Sequence, residues 1–260
     1  MSRRHFTFRC EGEVLAATLD EADRETGLLI VSGGNEVRGG AYSGHARLAA
    51  ELAAAGFPVF RYDRRGVGDS EGTNTGFRGG GPDLYAALAA FREAAPLVRH
   101  VVAFGNCDGA TTLALHGSGL ALDGLVLANP WVIDGDEAPE AMPSSAIRAR
   151  YLEKLANPRE LLRLLRGGVD LRKLVSGLRK AAGGGNPEHA TLAAQLAARL
   201  GQFDGPVRIL LAERDRTAQL FREAWPDDPR VRGCASRSHS FADPAARAFL
   251  LQNLREALAG

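Results

Sequence analysis

The 260-residue chain is 45% hydrophobic, which is enough apolar material for one large domain with a buried core. Its 32 Lys and Arg residues nearly balance 31 Asp and Glu residues, so no global field draws the protein to nucleic acid or acidic lipid. Its three cysteines have no regular spacing, which argues against a disulfide framework, and no Cys/His cluster resembles a metal site. We therefore expect neither a cofactor nor a metal.

The amino-terminal region carries basic residues that no apolar run follows, so a secretory signal peptide is not expected. No stretch approaches the roughly 18 apolar residues that crossing a bilayer requires. With an odd number of unpaired cysteines, this pattern predicts a cytoplasmic protein without an integral membrane segment.

Predicted strands and helices alternate along the first 128 residues. Apolar residues flank Glu11-Gly12-Glu13 on both sides, which indicates a β-hairpin. Short apolar runs that end in glycine-rich loops or polar turns are typical of buried strands, and alanine-rich stretches with apolar residues at helical spacing are typical of helices. These patterns predict strands at 28–31, 58–62, 100–104 and 122–128, and helices at 45–55, 83–94 and 110–116.

The carboxyl-terminal part returns to the same rhythm, with strands predicted at 207–212 and 231–235 and a helix at 241–258. Strands that alternate with helices indicate a mostly parallel sheet covered by helices on both faces. The sequence therefore predicts an α/β fold.

Residues 133–203 interrupt the alternation with helical patterns, and this segment is too long for a simple crossover. We interpret it as a helical cap inserted into a core formed by 1–132 and 204–260. Between residues 145 and 200, eleven Lys or Arg against four acidic residues give a net charge of +7. Two interpretations stay open: amphipathic helices with solvated basic faces, or a basic rim that attracts an anionic substrate.

The segment Gly105-Asn106-Cys107-Asp108-Gly109 has the spacing of a nucleophile elbow, a sharp turn from a strand into a helix. Glycines two residues before and after Cys107 let neighbouring backbone pass without Cβ clashes. The helix amino terminus favours a thiolate and a developing oxyanion. Cys107 is therefore the candidate nucleophile, whereas a buried structural cysteine is the alternative.

The chain resembles the α/β-hydrolase superfamily over essentially its whole length. The resemblance rests on the elbow, on the loop at 32–35, and on the loop at 63–70, which matches the D-x-R-G-x-G-x-S pattern that is a structural mark of the superfamily. The segments 31–34, 61–72 and 105–110 narrow the resemblance to hydrolases associated with the exosortase A system, in which the Cys-Asp-Gly elbow is the most specific mark. This resemblance implies a hydrolase but does not supply a substrate.

The resemblance also implies partners for Cys107. His239 lies between the last predicted strand and the last helix, where the superfamily has its catalytic histidine. Asp215, just after the strand at 207–212, occupies the loop that carries the superfamily's orienting carboxylate. Glu213 is the nearest rival acid, Asp134 and Asp136 are further options, and pairing of Asp215 with a neighbouring arginine is the structural alternative.

The expected reaction is acyl transfer from a small-molecule ester or thioester through a thioester on Cys107. Backbone N–H groups of Asp108 and of Gly34 or Asn35 form the expected oxyanion hole. A carboxylate beside a thiol disfavours the thiolate, so the Asp108 side chain either opposes activation or points away along the helix start. An acyltransferase and a non-catalytic scaffold are the alternatives to a hydrolase, and the oligomeric state is left open.

Overall fold

The computed structural model describes residues 2–134 and 187–260, and its strands form one eight-stranded sheet. The strands are β1 (Arg3–Cys10), β2 (Glu13–Asp20), β3 (Thr26–Val31), β4 (Val59–Tyr62), β5 (His100–Asn106), β6 (Gly124–Ala128), β7 (Val207–Ala212) and β8 (Val231–Cys234). Their order across the sheet is β1-β2-β4-β3-β5-β6-β7-β8.

The sheet is parallel from β4 to β8 and antiparallel at its amino-terminal edge. β1 and β2 form the predicted hairpin, and β2 pairs antiparallel with β4. All other neighbouring strands pair in parallel. This arrangement confirms the predicted mostly parallel α/β sheet.

The helices occupy the crossovers between the parallel strands, except the last helix, which follows β8. They are α1 (Gly44–Ala54), α2 (Gly76–Gly79), α3 (Gly81–Ala94), α4 (Asp108–His116), α5 (Pro187–Leu200), α6 (Arg216–Ala224) and α7 (Pro244–Ala259). A 3-10 turn at Ala41–Ser43 precedes α1. The sequence patterns predicted each long helix outside the proposed cap except α6.

Alternating side chains of the strands separate two apolar layers, because successive residues of a strand point to opposite faces. Leu29 and Val31 of β3 belong to the layer that α3 to α6 cover. Leu28 and Ile30 of the same strand belong to the layer that α1 and α7 cover. Both faces of the sheet are therefore buried, as parallel sheets require.

The proposed cap at 133–203 falls mostly outside the described residues. Within the described part of this segment, α5 buries Leu192, Leu196 and Leu200 in the same apolar layer as α3 and α4. No helix in 2–134 or 187–260 is both long enough and apolar enough to cross a membrane.

The functional candidates meet at one edge of the sheet, because the carboxyl ends of parallel strands lie side by side. Cys107 follows β5, Asn129 follows β6, Asp215 lies just after β7, and His239 follows β8. The sheet thus brings residues that are more than 100 positions apart into one cleft.

Candidate active site

Cys107 lies at the turn between β5 and α4, with φ 56° and ψ −126°. A positive φ is uncommon for a residue with a side chain. The Cys107 N–H donates to the Ala128 carbonyl at 3.0 Å, and its carbonyl accepts from the Thr111 N–H at 3.2 Å. These bonds to β6 and to α4 hold the turn, and the Cys107 side chain stays partly exposed.

The glycines of this turn are required by close backbone contacts. A Cβ on Gly105 would lie 2.5 Å from the carbonyl carbon of Gly109, and a Cβ on Gly109 would lie 2.4 Å from the Val31 oxygen. Gly33 is equally confined, since its Cβ would lie 2.5 Å from the Asn106 oxygen. The strand end, the helix start and the loop after β3 therefore pack directly against one another around Cys107.

His239 faces both candidate partners. Its Nδ1 lies 2.9 Å from Oδ2 of Asp215. The Cys107 side chain lies close enough to the imidazole to act on its charge. The imidazole is therefore near both the carboxylate and the sulfur, as in the arrangement of a nucleophile, a base and an acid.

Asp215 is held by the start of α6 as its N-cap residue. Its Oδ2 accepts from the N–H groups of Thr217 at 3.0 Å and Ala218 at 3.2 Å, besides contacting His239. The residue is only 9% exposed. Because these two N–H groups hold the Asp215 carboxylate, it keeps its position against the imidazole.

The other candidate acids lie elsewhere. The Glu213 side chain is half exposed, lies against Gly233, and is 4.0 Å from Arg222. Asp134 pairs with Arg78. Asp136 lies outside the described residues. Of the acids that the structure describes, Asp215 is the one that contacts His239.

The charge state of His239 follows from these contacts. Burial lowers the pKa of His239, but the hydrogen bonds to Asp215 and Cys107 and their negative charges outweigh burial and raise it to about 10. His239 is therefore an imidazolium at neutral pH, flanked by the carboxylate and the sulfur.

Asn129 is a site residue that the sequence analysis did not identify. Its Nδ2 donates to the His239 carbonyl at 2.9 Å, and its Oδ1 accepts from the Ala212 N–H at 2.9 Å. It is fully buried and has a φ of 41°. Asn129 thereby ties the histidine loop to the ends of β6 and β7. A polar residue directly after a buried strand was the available signal.

The predicted oxyanion donors have different partners. Asp108 is the first residue of α4, where N–H groups have no partner within the helix. The Gly34 N–H donates to Oδ1 of Asp108. Asn35 accepts from Nδ2 of Asn74 through its side chain at 2.9 Å. The Asp108 carboxylate thus points toward the loop after β3.

The loop at 63–70 is structural, as its resemblance implies. Asp63 is fully buried, pairs with Arg38, and accepts from the Asp69 N–H at 3.1 Å. Its carbonyl accepts from the Ser70 hydroxyl at 2.7 Å. Arg38 and these contacts fix the loop beside the cleft, and the next residue, Arg64, contacts Asp108 at 3.6 Å.

A cavity of about 90 Å³ lies between α1 and the start of α7, and Cys107, Asp215 and His239 are not part of its lining. Its lining includes Asn106, which precedes Cys107, and Ser240, which follows His239. His45 lies in the same lining, and burial lowers the pKa of its imidazole, so it is neutral at neutral pH.

The two other cysteines differ from Cys107. Burial and the Asp83 carboxylate raise the pKa of the Cys10 thiol to about 11. Burial is also the main cause that raises the pKa of Cys234. Both thiols are therefore protonated at neutral pH. Among residues 2–134 and 187–260, no group of His, Cys, Asp and Glu has the arrangement of a metal site.

Comparisons with known proteins agree with this architecture. A family model described as serine aminopeptidase, S33, matches residues 23–174. No match was found among proteins with curated descriptions.

Solved structures with similar folds span nearly the whole chain. The esterase Pf2001 from Pyrococcus furiosus is 17% identical with a TM-score of 0.61, covering 99% of this chain and 91% of its own. The α/β hydrolase GrgF from Penicillium sp. sh18 is 17% identical with a TM-score of 0.63 and full coverage of both chains. A thioesterase domain from the curacin biosynthetic pathway is 13% identical with a TM-score of 0.57, covering 98% of this chain and 100% of its own. At these identities, the likeness shows a shared α/β-hydrolase fold.

Limiting iodoacetamide at neutral pH should label Cys107 before Cys10 and Cys234, because alkylation follows thiolate fraction and access. Replacement of His239 by Ala should slow the labelling, since it removes the imidazole that lies beside the sulfur. Peptide mapping by mass spectrometry measures both effects. Preferential labelling of either other cysteine would contradict the description of Cys107.

Asp215→Asn should lower the pKa of His239 from about 10, because it removes a negative charge and weakens the hydrogen bond to Nδ1. An NMR titration of the imidazole measures this shift. Glu213→Gln is the matched control and should leave the titration unchanged. A shift that is larger for Glu213→Gln would assign the acid to Glu213.

The same interaction makes stability depend on pH. The folded pKa of His239 lies above the unfolded value of about 6.5, so its contribution is complete below that pH and is lost as pH rises through about 10. Asp215→Asn should therefore cost more unfolding free energy at pH 6 than at pH 10. Equal losses of unfolding free energy at both pH values would mean that Asp215 stabilises the protein only as a helix cap and not through His239.

Asn129→Ala should lower the free energy of unfolding by about 2 kcal/mol or more, because it leaves the Ala212 N–H and the His239 carbonyl without partners in a buried site. Urea denaturation measures the loss, and Gln202→Ala, which removes an exposed amide, serves as the control. Equal stability of the two variants would contradict this role.

Proposed function

Because the family match spans more than half of its length, the chain belongs to the family described as serine aminopeptidase, S33, and on that premise we propose that it hydrolyses carboxylic esters or thioesters with Cys107 as nucleophile. The observation that carries the proposal is the position of His239, whose imidazole forms a hydrogen bond with Asp215 at 2.9 Å and lies close enough to Cys107 for the two groups to interact. The family's description names a serine. The arrangement around Cys107 supports a cysteine as the nucleophile of this chain.

The acylation step begins with the thiolate of Cys107 and the imidazolium of His239. The sulfur attacks the carbonyl carbon, and the π electrons move to the carbonyl oxygen to give a tetrahedral oxyanion. Collapse of this intermediate breaks the bond to the leaving alcohol or thiol, which takes its proton from His239. The products of this step are a thioester on Cys107 and a neutral imidazole.

The deacylation step returns the enzyme to its starting state. Neutral His239 takes a proton from a water molecule as the water oxygen attacks the thioester carbonyl. The second tetrahedral intermediate expels the Cys107 thiolate and releases a carboxylic acid. The imidazolium and the thiolate then form the resting pair again, with Asp215 stabilising the cation at both stages.

The nature of the leaving group favours esters and thioesters over amides. A thiolate leaves a tetrahedral intermediate more readily than an amine anion, so an amide returns to the starting state unless its nitrogen is protonated first. Alcohols and thiols leave with less assistance. Solved relatives of the fold that are named esterase and thioesterase support the same substrate class.

Two finer features of the proposal rest on the sequence alone. The net charge of +7 between residues 145 and 200 supports an anionic acyl substrate, through electrostatic attraction. The segments 31–34, 61–72 and 105–110 support a link to exosortase systems. Both features belong to the proposal together with a cytoplasmic location.

Cys107→Ala should abolish hydrolysis of p-nitrophenyl butyrate and of a matched thioester while leaving the circular dichroism spectrum unchanged. His239→Ala should lower the rate at least about 100-fold, since general acid–base catalysis contributes roughly 10²–10⁴-fold. Cys234→Ala is the matched control, because this partly buried thiol is not among the groups that act on His239. Undiminished turnover by a folded Cys107→Ala variant would rule out the proposed nucleophile.

A further inference from the structure

Asp108, the residue after the candidate nucleophile, accepts a hydrogen bond from one of the predicted oxyanion donors, the Gly34 N–H. Asp108 directs Oδ1 to the Gly34 N–H, across the loop that packs against Cys107. The loop, the carboxylate and Cys107 are closely packed here. A Cβ on the adjacent Gly33 would lie 3.0 Å from the same carboxylate oxygen and 3.3 Å from the Cβ of Cys107. An anionic oxygen therefore lies on this N–H immediately beside the nucleophile.

A carboxylate oxygen and a substrate oxyanion make the same demand on this donor. A backbone N–H carries a single hydrogen, so it bonds one of the two oxygens well and not both. Bonds from an N–H to an ionised oxygen are also stronger than those to a neutral carbonyl. An oxyanion that forms on Cys107 and uses the Gly34 N–H must therefore displace the Asp108 carboxylate.

The structure contains a group that can hold the displaced carboxylate. Arg64 has a side chain that is only 2% exposed, and its Nη2 lies 3.6 Å from Oδ2 of Asp108. This Nη2 donates to the Gly34 carbonyl, whereas Nε and Nη1 have no partner among the described residues. A buried guanidinium with unused donors is costly unless it is paired, so it attracts a nearby carboxylate.

We propose that Asp108 is a positioning residue of this hydrolase, whose carboxylate holds the Gly34 N–H before acylation and moves to Arg64 when the oxyanion forms. The inference rests on the proposed function of Cys107. It assigns to Asp108 the control of one oxyanion donor, and to Arg64 the retention of the displaced charge. The bond to Asp108 keeps the Gly34 N–H in place before the reaction. The same bond competes with the substrate oxyanion for this N–H.

The test uses two reagents that react with Cys107 in different ways. An alkyl trifluoromethyl ketone adds reversibly to the sulfur and forms a tetrahedral oxyanion, whereas iodoacetamide alkylates the sulfur without forming one. Both are applied to the full-length wild type and to Asp108→Asn, which preserves side-chain shape and removes the charge. Circular dichroism confirms folding of each variant.

Asp108→Asn should bind the ketone about tenfold or more tightly than wild type, beyond any change in the alkylation rate, because the competing bond to an ionised group is removed. An equal or weaker ketone affinity, after the same correction, overturns the proposal and leaves Asp108 as a structural brace. If wild-type Cys107 reacts with neither reagent, the proposed nucleophile fails and the inference fails with it.

Arg64→Gln supplies the second readout through a double-mutant cycle with Asp108→Asn. Loss of Arg64 should weaken ketone binding when Asp108 is present and have a much smaller effect in the Asp108→Asn background, because no carboxylate then needs to be held. Effects of Arg64→Gln that are equal in the two backgrounds overturn the role given to Arg64.

Discussion

The backbone of Cys107, held at φ 56° and ψ −126°, is the constraint on which the rest of the site depends. A residue with a side chain in this region costs on the order of 1–3 kcal/mol, so it persists only where its surroundings enforce it. Here β5 is fixed between β3 and β6, and Cys107 bonds to Ala128 across the sheet. The turn that results directs the sulfur toward His239 and leaves room for backbone only, which is why glycine occupies positions 33, 105 and 109.

The partners of Cys107 are held by contacts as specific as the turn itself. Asp215 is both the cap of α6 and the hydrogen-bond partner of His239, so the start of a helix fixes the imidazole. Asn129 connects the histidine loop to the end of β7 through its side-chain amide. A site built on strand ends in this way is held in place by backbone contacts and buried polar groups, as preorganised sites are.

The alternation of apolar runs and glycine-rich turns was sufficient to predict the sheet, since buried parallel strands are continuous apolar segments. The sequence patterns do not predict α6, because its sequence mixes arginine, glutamine and glutamate with the buried Leu220 and Phe221. The interpretations of Asp215 as a triad acid or as the partner of an arginine also do not include its role as a helix cap. The elbow spacing indicates Cys107, and the resemblance to the superfamily implies the roles of Asp215 and His239. The bonds of Asn129 and the turn of Asp108 toward Gly34 depend on three-dimensional contacts between distant segments, which no local pattern encodes.

We propose that an acyl group passes through Cys107. Rapid quenching after addition of p-nitrophenyl butyrate, followed by intact-mass measurement and peptide mapping, tests it directly. We expect one butyryl group on Cys107 that neutral hydroxylamine removes, as it removes thioesters, and a longer lifetime for this adduct in Asp215→Asn. A butyryl group on a serine, or turnover with no adduct on Cys107 in either protein, would contradict the account.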